Sequence, residues 1–238
     1  MPMTTDCGAV ERKIAHALGD LRPVAVAYLE TAPEGVAKFE GTVPSGCSFW
    51  SLAAQGRSFY TEPSDHLNCP IGSYTHAIDL PTERAGELEQ TLALMTSVGY
   101  VRMEEVPAIP RLPRTPAFTY YAPLAATVVD PDVVIFAGRP GRLMRLQEAS
   151  ARAGAASQLP LLGRPTCMAL PAAMTHGAVV STGCIGNRVY TDLGEDELYL
   201  MIPGKRLMDV AEQAAVIATA NDTLEQYHTQ RLQTLRML

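Results

Sequence analysis

The sequence predicts a mixed α/β or α+β protein made of two similar halves that pack as one compact unit. Short runs of β-branched residues alternate with segments in which apolar residues recur at helical spacing. A stretch with four prolines between residues 107 and 116 lies near the middle of the chain. The predicted organisation is an N-terminal half of residues 1–106, a Pro-rich linker of residues 107–118, and a C-terminal half of residues 119–238 that ends in a helix.

The first half is predicted to contain three helices and three strands. Helical spacing of apolar residues, with a glycine as the stop signal, indicates helices over residues 8–20, 48–55 and 80–98. Short β-branched or aromatic runs indicate strands over residues 23–29, 58–61 and 100–106.

The second half resembles the first in the order of its elements. Strands are predicted over residues 132–137, 178–181 and 197–202, and helices over residues 142–153, 168–175 and 207 to about 236. Pro140 suits a first helical turn, because its missing N–H would be unpaired there anyway. Residues 120–127 fit either a helix or a strand.

The composition argues against several classes of protein. A net charge of −6, with 19 dispersed Lys and Arg residues, argues against nucleic-acid binding. No apolar run reaches the roughly 18–20 residues that span a bilayer, so no membrane association is expected. The N-terminus lacks the basic and apolar regions of a signal peptide, which predicts a cytoplasmic location. Spaced cysteines in that compartment are more often ligands, nucleophiles or core residues than disulfides.

Four of the five cysteines form two spaced pairs, and this pattern organises the functional prediction. Cys47 and Cys69 are 22 positions apart, and Cys167 and Cys184 are 17 positions apart. In each pair an Ile-Gly step follows the second cysteine within three residues. We therefore expect the four cysteines to converge on one site at the interface of the two halves. Cys7 has no such context and is expected to lie in a frayed terminus without a role.

The spacing of the four cysteines favours an iron–sulfur cluster. A structural zinc site usually takes two ligands from one tight turn, and no such pair occurs here. Four cysteines on four separate loops suit a 4Fe–4S cluster, which presents four corners to ligands from different directions. A three-cysteine cluster with one open iron, a zinc ion as the runner-up cofactor, and thiols without metal remain open.

Three further residues are candidates for the chemistry of this site. His66 stands three positions before Cys69, where it could be a ligand, a neighbour of the ligands or an acid–base group. Asn187 and Arg188 directly follow the Cys184 motif and could bind an anionic substrate. A solvated loop histidine, and an Arg188 paired with nearby acidic residues, are the structural alternatives.

The chain resembles the prokaryotic family catalogued as domain of unknown function 169, from about residue 22 to residue 231. The motifs that carry the resemblance are residues 46–50, 59–62, 66–72, 104–107, 132–136, 167–170, 183–188 and 196–198. The resemblance implies a shared site at the four cysteine positions and no particular reaction.

These observations predict an iron–sulfur enzyme or redox protein that acts on a small polar substrate. Oxidoreductase and desulfurase or lyase chemistry both fit, and an electron-transfer partner and self-association are left open. The alternative is a non-enzymatic sensor or binding module that holds a metal or ligand through its cysteines. A thiol enzyme, with Cys69 or Cys184 as a nucleophile activated by His66, is a third class.

Overall fold

The computed structural model describes residues 5–19, 21–159 and 161–236. Its strands are β1 (Val24–Leu29), β2 (Phe59–Thr61), β3 (Phe118–Pro123), β4 (Val133–Gly138), β5 (Val179–Ser181) and β6 (Leu198–Pro203). They form an antiparallel sheet with the order β2-β3-β1-β4-β6-β5. The predicted mixed fold of helices and sheet is therefore confirmed.

Helices cover both faces of this sheet. The α-helices are α1 (Cys7–Leu18), α2 (Cys47–Ala54), α3 (Pro70–Thr75), α4 (Glu87–Ser97), α5 (Pro140–Arg152), α6 (Ala169–His176), α7 (Ile185–Tyr190) and α8 (Leu207–Arg236). Short 3₁₀ helices include Met103–Ala108 and Thr166–Met168. None of the helices in the described ranges is long and apolar enough to cross a membrane.

Alternating side chains in the central strands separate two hydrophobic cores. Successive side chains of a strand point to opposite faces of the sheet. Val24 and Val26 of β1 pack on one face with α2 and α6, whereas Ala25 packs on the other face with α1, α5 and α8. Cys47 and Cys167 belong to the core on the α2 and α6 side. The candidate site therefore lies on that face of the sheet.

The sheet repeats one pairing pattern in two halves. β1 and β4 pair at the centre, β3 and β6 lie outside them, and β2 and β5 form the edges. Val24 faces Pro123 just as Val133 faces Pro203, so the registers of the inner pairs correspond. The outer pairs correspond in the same way, Phe59 with Tyr121 and Val179 with Met201. A pseudo-twofold relation thus links β1, β2 and β3 to β4, β5 and β6.

The Pro-rich segment lies against α3. The N–H of Leu112, which is buried, donates to the carbonyl of Thr75 at 2.8 Å, and Arg111 Nε donates to the carbonyl of Tyr74 at 2.8 Å. The strand that follows this segment, β3, pairs with β1 and β2, which precede it. The sheet is thus continuous across residues 107–118, and the division of the chain at that segment stays a prediction.

Three local predictions are wrong. Residues 100–106 contain no strand and enter the 3₁₀ helix Met103–Ala108, where the N–H of Arg102 donates to the Glu105 carboxylate. The helix predicted over residues 80–98 is divided into a 3₁₀ turn at Thr82–Arg84 and α4. Cys7 is buried at the start of α1 rather than frayed, because the Asp6 side chain caps that helix. The predicted end of the first helix, residue 20, lies outside the described residues.

Candidate functional site

Four cysteine side chains line one cavity of about 290 Å³ on the α2 side of the sheet: Cys47, Cys69, Cys167 and Cys184. Thiolate charges on neighbouring cysteines of this set would raise the pKa of the Cys47, Cys69 and Cys167 thiols. All four cysteines are free, so no disulfide joins them. The structure thus brings together the four cysteines that the sequence pattern grouped.

Each cysteine lies at or near the amino end of a helix. Cys47 is the first residue of α2, and Cys167 lies in the 3₁₀ helix that leads into α6. Cys69 and Cys184 are the N-cap residues of the six-residue helices α3 and α7. The first N–H groups of a helix have no partner within the helix and carry a partial positive charge, which favours a negatively charged sulfur.

Backbone N–H groups converge on Cys69. The N–H of Gly72 donates to Cys69 Sγ at 3.3 Å, and the N–H groups of Gly46 and Ile71 also point to this sulfur. A Cβ atom at position 72 would lie 3.1 Å from Cys69 Sγ, so glycine lets the backbone approach the sulfur closely. Burial raises the pKa of the Cys69 thiol, and the three N–H groups act in the opposite direction.

Cys47 and Cys167 are the two buried thiols of the set. Burial raises the pKa of both thiols well above its ordinary value, and the neighbouring cysteines raise it further. Without a cation these thiols are therefore protonated at neutral pH. A bound metal would displace the protons, because a thiolate is the form that coordinates metal.

Asn187, one of the predicted site residues, lies on the cavity wall and is 2% exposed. Its amide nitrogen and oxygen make no hydrogen bond of full geometry with the described residues. The Cys47 thiol and the Tyr199 hydroxyl lie close enough for weaker hydrogen bonds to this amide. A group bound in the cavity would complete the hydrogen bonding of the amide.

Arg188 makes its hydrogen bonds away from this cavity. Its guanidinium donates to the backbone carbonyls of Gly194 at 2.6 Å, Thr182 at 2.5 Å and Glu197 at 2.9 Å. These contacts hold the loop that follows α7 against the end of β5. These contacts give Arg188 a structural role, and its predicted substrate-binding role stays a prediction.

His66 is buried behind the cysteine segments and does not line the cavity. The Thr61 hydroxyl donates to the Thr119 carbonyl at 3.2 Å, so it accepts a hydrogen bond from His66 Nε2 at 2.8 Å. Burial lowers the pKa of His66 to about 3, which keeps the imidazole neutral. Its proposed part in catalysis stays a prediction.

Part of the cavity lining was not predicted from the sequence. This part consists of apolar side chains from α4 and from residues 100–109, among them Leu92, Met95 and Ile109. Arg164 also lines the cavity and is the one charged residue among the described lining residues. The only sequence signal for Arg164 is its position three residues before Cys167.

The arrangement has the donor chemistry of a metal site but not the geometry for a single ion. Within residues 5–19, 21–159 and 161–236, no group of three or more His, Cys, Asp or Glu residues is arranged to hold one metal ion. Four soft sulfur donors around one cavity are nevertheless the ligand set that iron–sulfur clusters and zinc use.

The fold and the site define a class: a one-sheet protein in which two repeated halves each supply two cysteines to a shared cavity. The chain belongs to the family catalogued as domain of unknown function 169, described as "Uncharacterised ArCR", whose sequence profile matches residues 16–213. It is 30% identical over 165 residues to Uncharacterized protein MJ0308 of Methanocaldococcus jannaschii, covering 66% of this chain and 69% of that protein. No solved structure matches the chain.

Proposed function

We propose that the protein binds an iron–sulfur cluster, most simply 4Fe–4S, through Cys47, Cys69, Cys167 and Cys184. In this proposal it is a cytoplasmic redox protein or enzyme that acts on a small molecule next to the cluster. The observation that carries the proposal is that four free thiols from four separate segments line one cavity.

The distribution of the cysteines over four separate segments favours a cluster over a single zinc ion. Zinc would require four sulfurs about 2.3 Å from one point, which means that all four segments must close on that point. A cluster offers a separate iron to each cysteine, so the segments can stay apart with the cavity between them. Zinc therefore remains the runner-up cofactor.

Hydrogen-bond donors around the sulfurs support the same proposal. The N–H groups that converge on Cys69 would stabilise its thiolate form once a metal has displaced the proton. The Asn187 amide, which makes no hydrogen bond of full geometry within the described chain, supplies a further donor beside Cys47. Such donors around cluster sulfurs help to set the reduction potential. When bound, a cluster supplies electron transfer and, where one iron lacks a protein ligand, a Lewis-acid position.

The test is the spectrum and the iron and sulfide content of full-length protein purified without oxygen. We expect a brown protein with a broad absorbance near ~400 nm and about four irons per chain. Substitution of Cys47, Cys69, Cys167 or Cys184 by serine should lower the iron content, because each substitution removes one ligand. A variant that keeps cluster and colour would identify a three-cysteine site with one open iron.

Cys7→Ser is the matched control for these substitutions. Cys7 is buried like Cys47 and Cys167, but it belongs to the core on the opposite face of the sheet. Cys7→Ser should therefore keep its iron. A colourless protein from cells that build clusters would overturn the proposal. Bound zinc would then favour a structural or sensor module, and selective alkylation of one cysteine would favour a thiol enzyme.

A further inference from the structure

The cavity is lined by two chemically different groups of residues. The four cysteines and Asn187 form one group. Leu92 and Met95 of α4, together with Tyr100, Val101 and Ile109, form an apolar group. No residue of α4 is buried, and its tertiary contacts are mainly with α3. This helix therefore covers the cavity with apolar side chains and contributes little to the main core.

Arg164 is the one charged side chain that the described residues present to this cavity. Its guanidinium lies 4.9 Å from the centre of the Tyr100 ring. It forms a long ion pair with the Glu105 carboxylate at 3.8 Å, a distance too long for a hydrogen bond, and its side chain is 45% exposed. Glu105 also pairs with Arg102 at 2.8 Å. Within the described chain, the planar donor fork of Arg164 is thus not used by any hydrogen bond.

We propose that the cavity binds, beside Arg164 and this apolar group, a small organic carboxylate with an apolar body. Arg164 would bind the carboxylate through two parallel hydrogen bonds, since the guanidinium fork matches that geometry. The apolar body would lie against Leu92, Met95 and Ile109. This assignment of the substrate class rests on the proposed cluster function, whereas the binding of such a molecule can be measured independently of it.

The carboxylate is favoured over a purely polar substrate by the composition of the wall. Ligand cavities are typically apolar, with a few placed polar groups that fix orientation. Arg164, the one charged group of the described lining, matches one anionic group on an apolar body, which would replace the long contact of Arg164 with Glu105. The sequence-based expectation of a small polar substrate is thereby narrowed to a monocarboxylate.

Calorimetric titration of the anaerobically purified full chain with benzoate and with benzamide tests this proposal. The two probes share their ring and nearly their shape, but only benzoate is charged. We expect benzoate to bind at least tenfold more tightly than benzamide. Arg164→Gln should abolish this preference, and Arg164→Lys, which keeps the charge without the fork, should keep part of it.

Arg139→Gln is the control substitution, because Arg139 is an exposed arginine that pairs with Asp196 and does not line this cavity. It should leave the preference unchanged. Equal affinity of the wild type for the two probes, or a preference that survives Arg164→Gln, would overturn the inference. Iron is measured on the same samples, so the two proposals can fail separately. Iron without a benzoate preference rejects the ligand site alone, whereas a benzoate preference without iron rejects the cluster alone.

Discussion

His66 and His76 are buried as neutral imidazoles next to the cysteine segments. His76 Nδ1 donates to the Gly72 carbonyl at 3.0 Å, so its Nε2 accepts from the Tyr28 hydroxyl at 3.2 Å. The two imidazole rings stack with centroids 5.9 Å apart. Protonation of either ring would place a charge in a core that contains no carboxylate partner for it among the contacts described. Burial accordingly lowers the pKa of His76 to about 4 and that of His66 to about 3.

The buried histidines predict a loss of stability in mild acid. An unfolded histidine has a pKa of about 6.5, so below that pH the unfolded chain binds protons that the folded chain does not. The stability that each neutral, buried imidazole contributes is fully present above pH ~6.5. It decreases as the pH is lowered, down to the folded pKa of about 4 for His76 and about 3 for His66. Each histidine should reduce the free energy of unfolding by about 1.4 kcal/mol per pH unit in this window. Urea unfolding at a series of pH values measures this slope.

His76→Gln isolates the contribution of one ring. Because it removes one titrating group, the slope between pH 6 and 4.5 should decrease by about 1.4 kcal/mol per pH unit relative to wild type. His228→Gln is the control, since His228 lies on the exposed part of α8 and should leave the slope unchanged. An unchanged slope in His76→Gln would mean that His76 is protonated in the native protein.

Among the secondary-structure elements, the sequence predicts those that are long enough to show a clear residue pattern. The β-branched run Val24–Leu29 and the 13-residue helix Pro140–Arg152 were both predicted close to their observed bounds. Helices α3 and α7 were missed, because six residues contain less than two turns and show no apolar stripe. Cys69 and Cys184 are the N-cap residues of these two helices, so the sequence located the cysteines but not the elements that hold them.

Packing against the rest of the protein does not explain the second half of the helix α8. Leu207, Val210 and Ala214 are buried in the first half, whereas residues from 222 to 236 are exposed. Surface ion pairs of Arg145 with Asp222 at 3.3 Å and Glu225 at 3.6 Å join this part to α5 by charge. Exposed pairs of this kind contribute about 0–1 kcal/mol.

Deletion of all residues after Thr223 should therefore change the free energy of unfolding by less than about 1 kcal/mol. Val210→Ala in the buried half of the same helix should cost about 2 kcal/mol, because it leaves a cavity in the core. Chemical denaturation of the two variants makes the comparison. A deletion that costs as much as Val210→Ala would show that the exposed half is buried in solution, for example against a second copy of the chain.

At the scale of the whole molecule, the repeat explains why the sequence could predict where the cysteines meet. Cys69 and Cys184 each follow an edge strand, β2 or β5, in corresponding positions of the two halves. Similar local sequences thus adopt similar local structures, and the central pairing of β1 with β4 brings them to one face. The role of Arg164 had no such signal. Its neighbours Tyr100 and Glu105 come from the other half of the chain, and only tertiary packing brings them together.

A cluster held by both halves should make the stability of the whole molecule depend on iron. A ligand that binds only the native state raises the unfolding temperature, and here it would tie the two halves of the sheet together. We expect protein with its cluster to unfold several degrees higher than the same protein after iron removal by a chelator.

Cys47→Ser in one half and Cys184→Ser in the other should each eliminate this difference in unfolding temperature. The double variant should lose nothing further, because residues that act as one unit are not additive. Cys7→Ser, on the opposite face of the sheet, should keep the full difference. If only the substitution in one half removed the difference, the metal would belong to that half alone, and the shared cavity would not be its site.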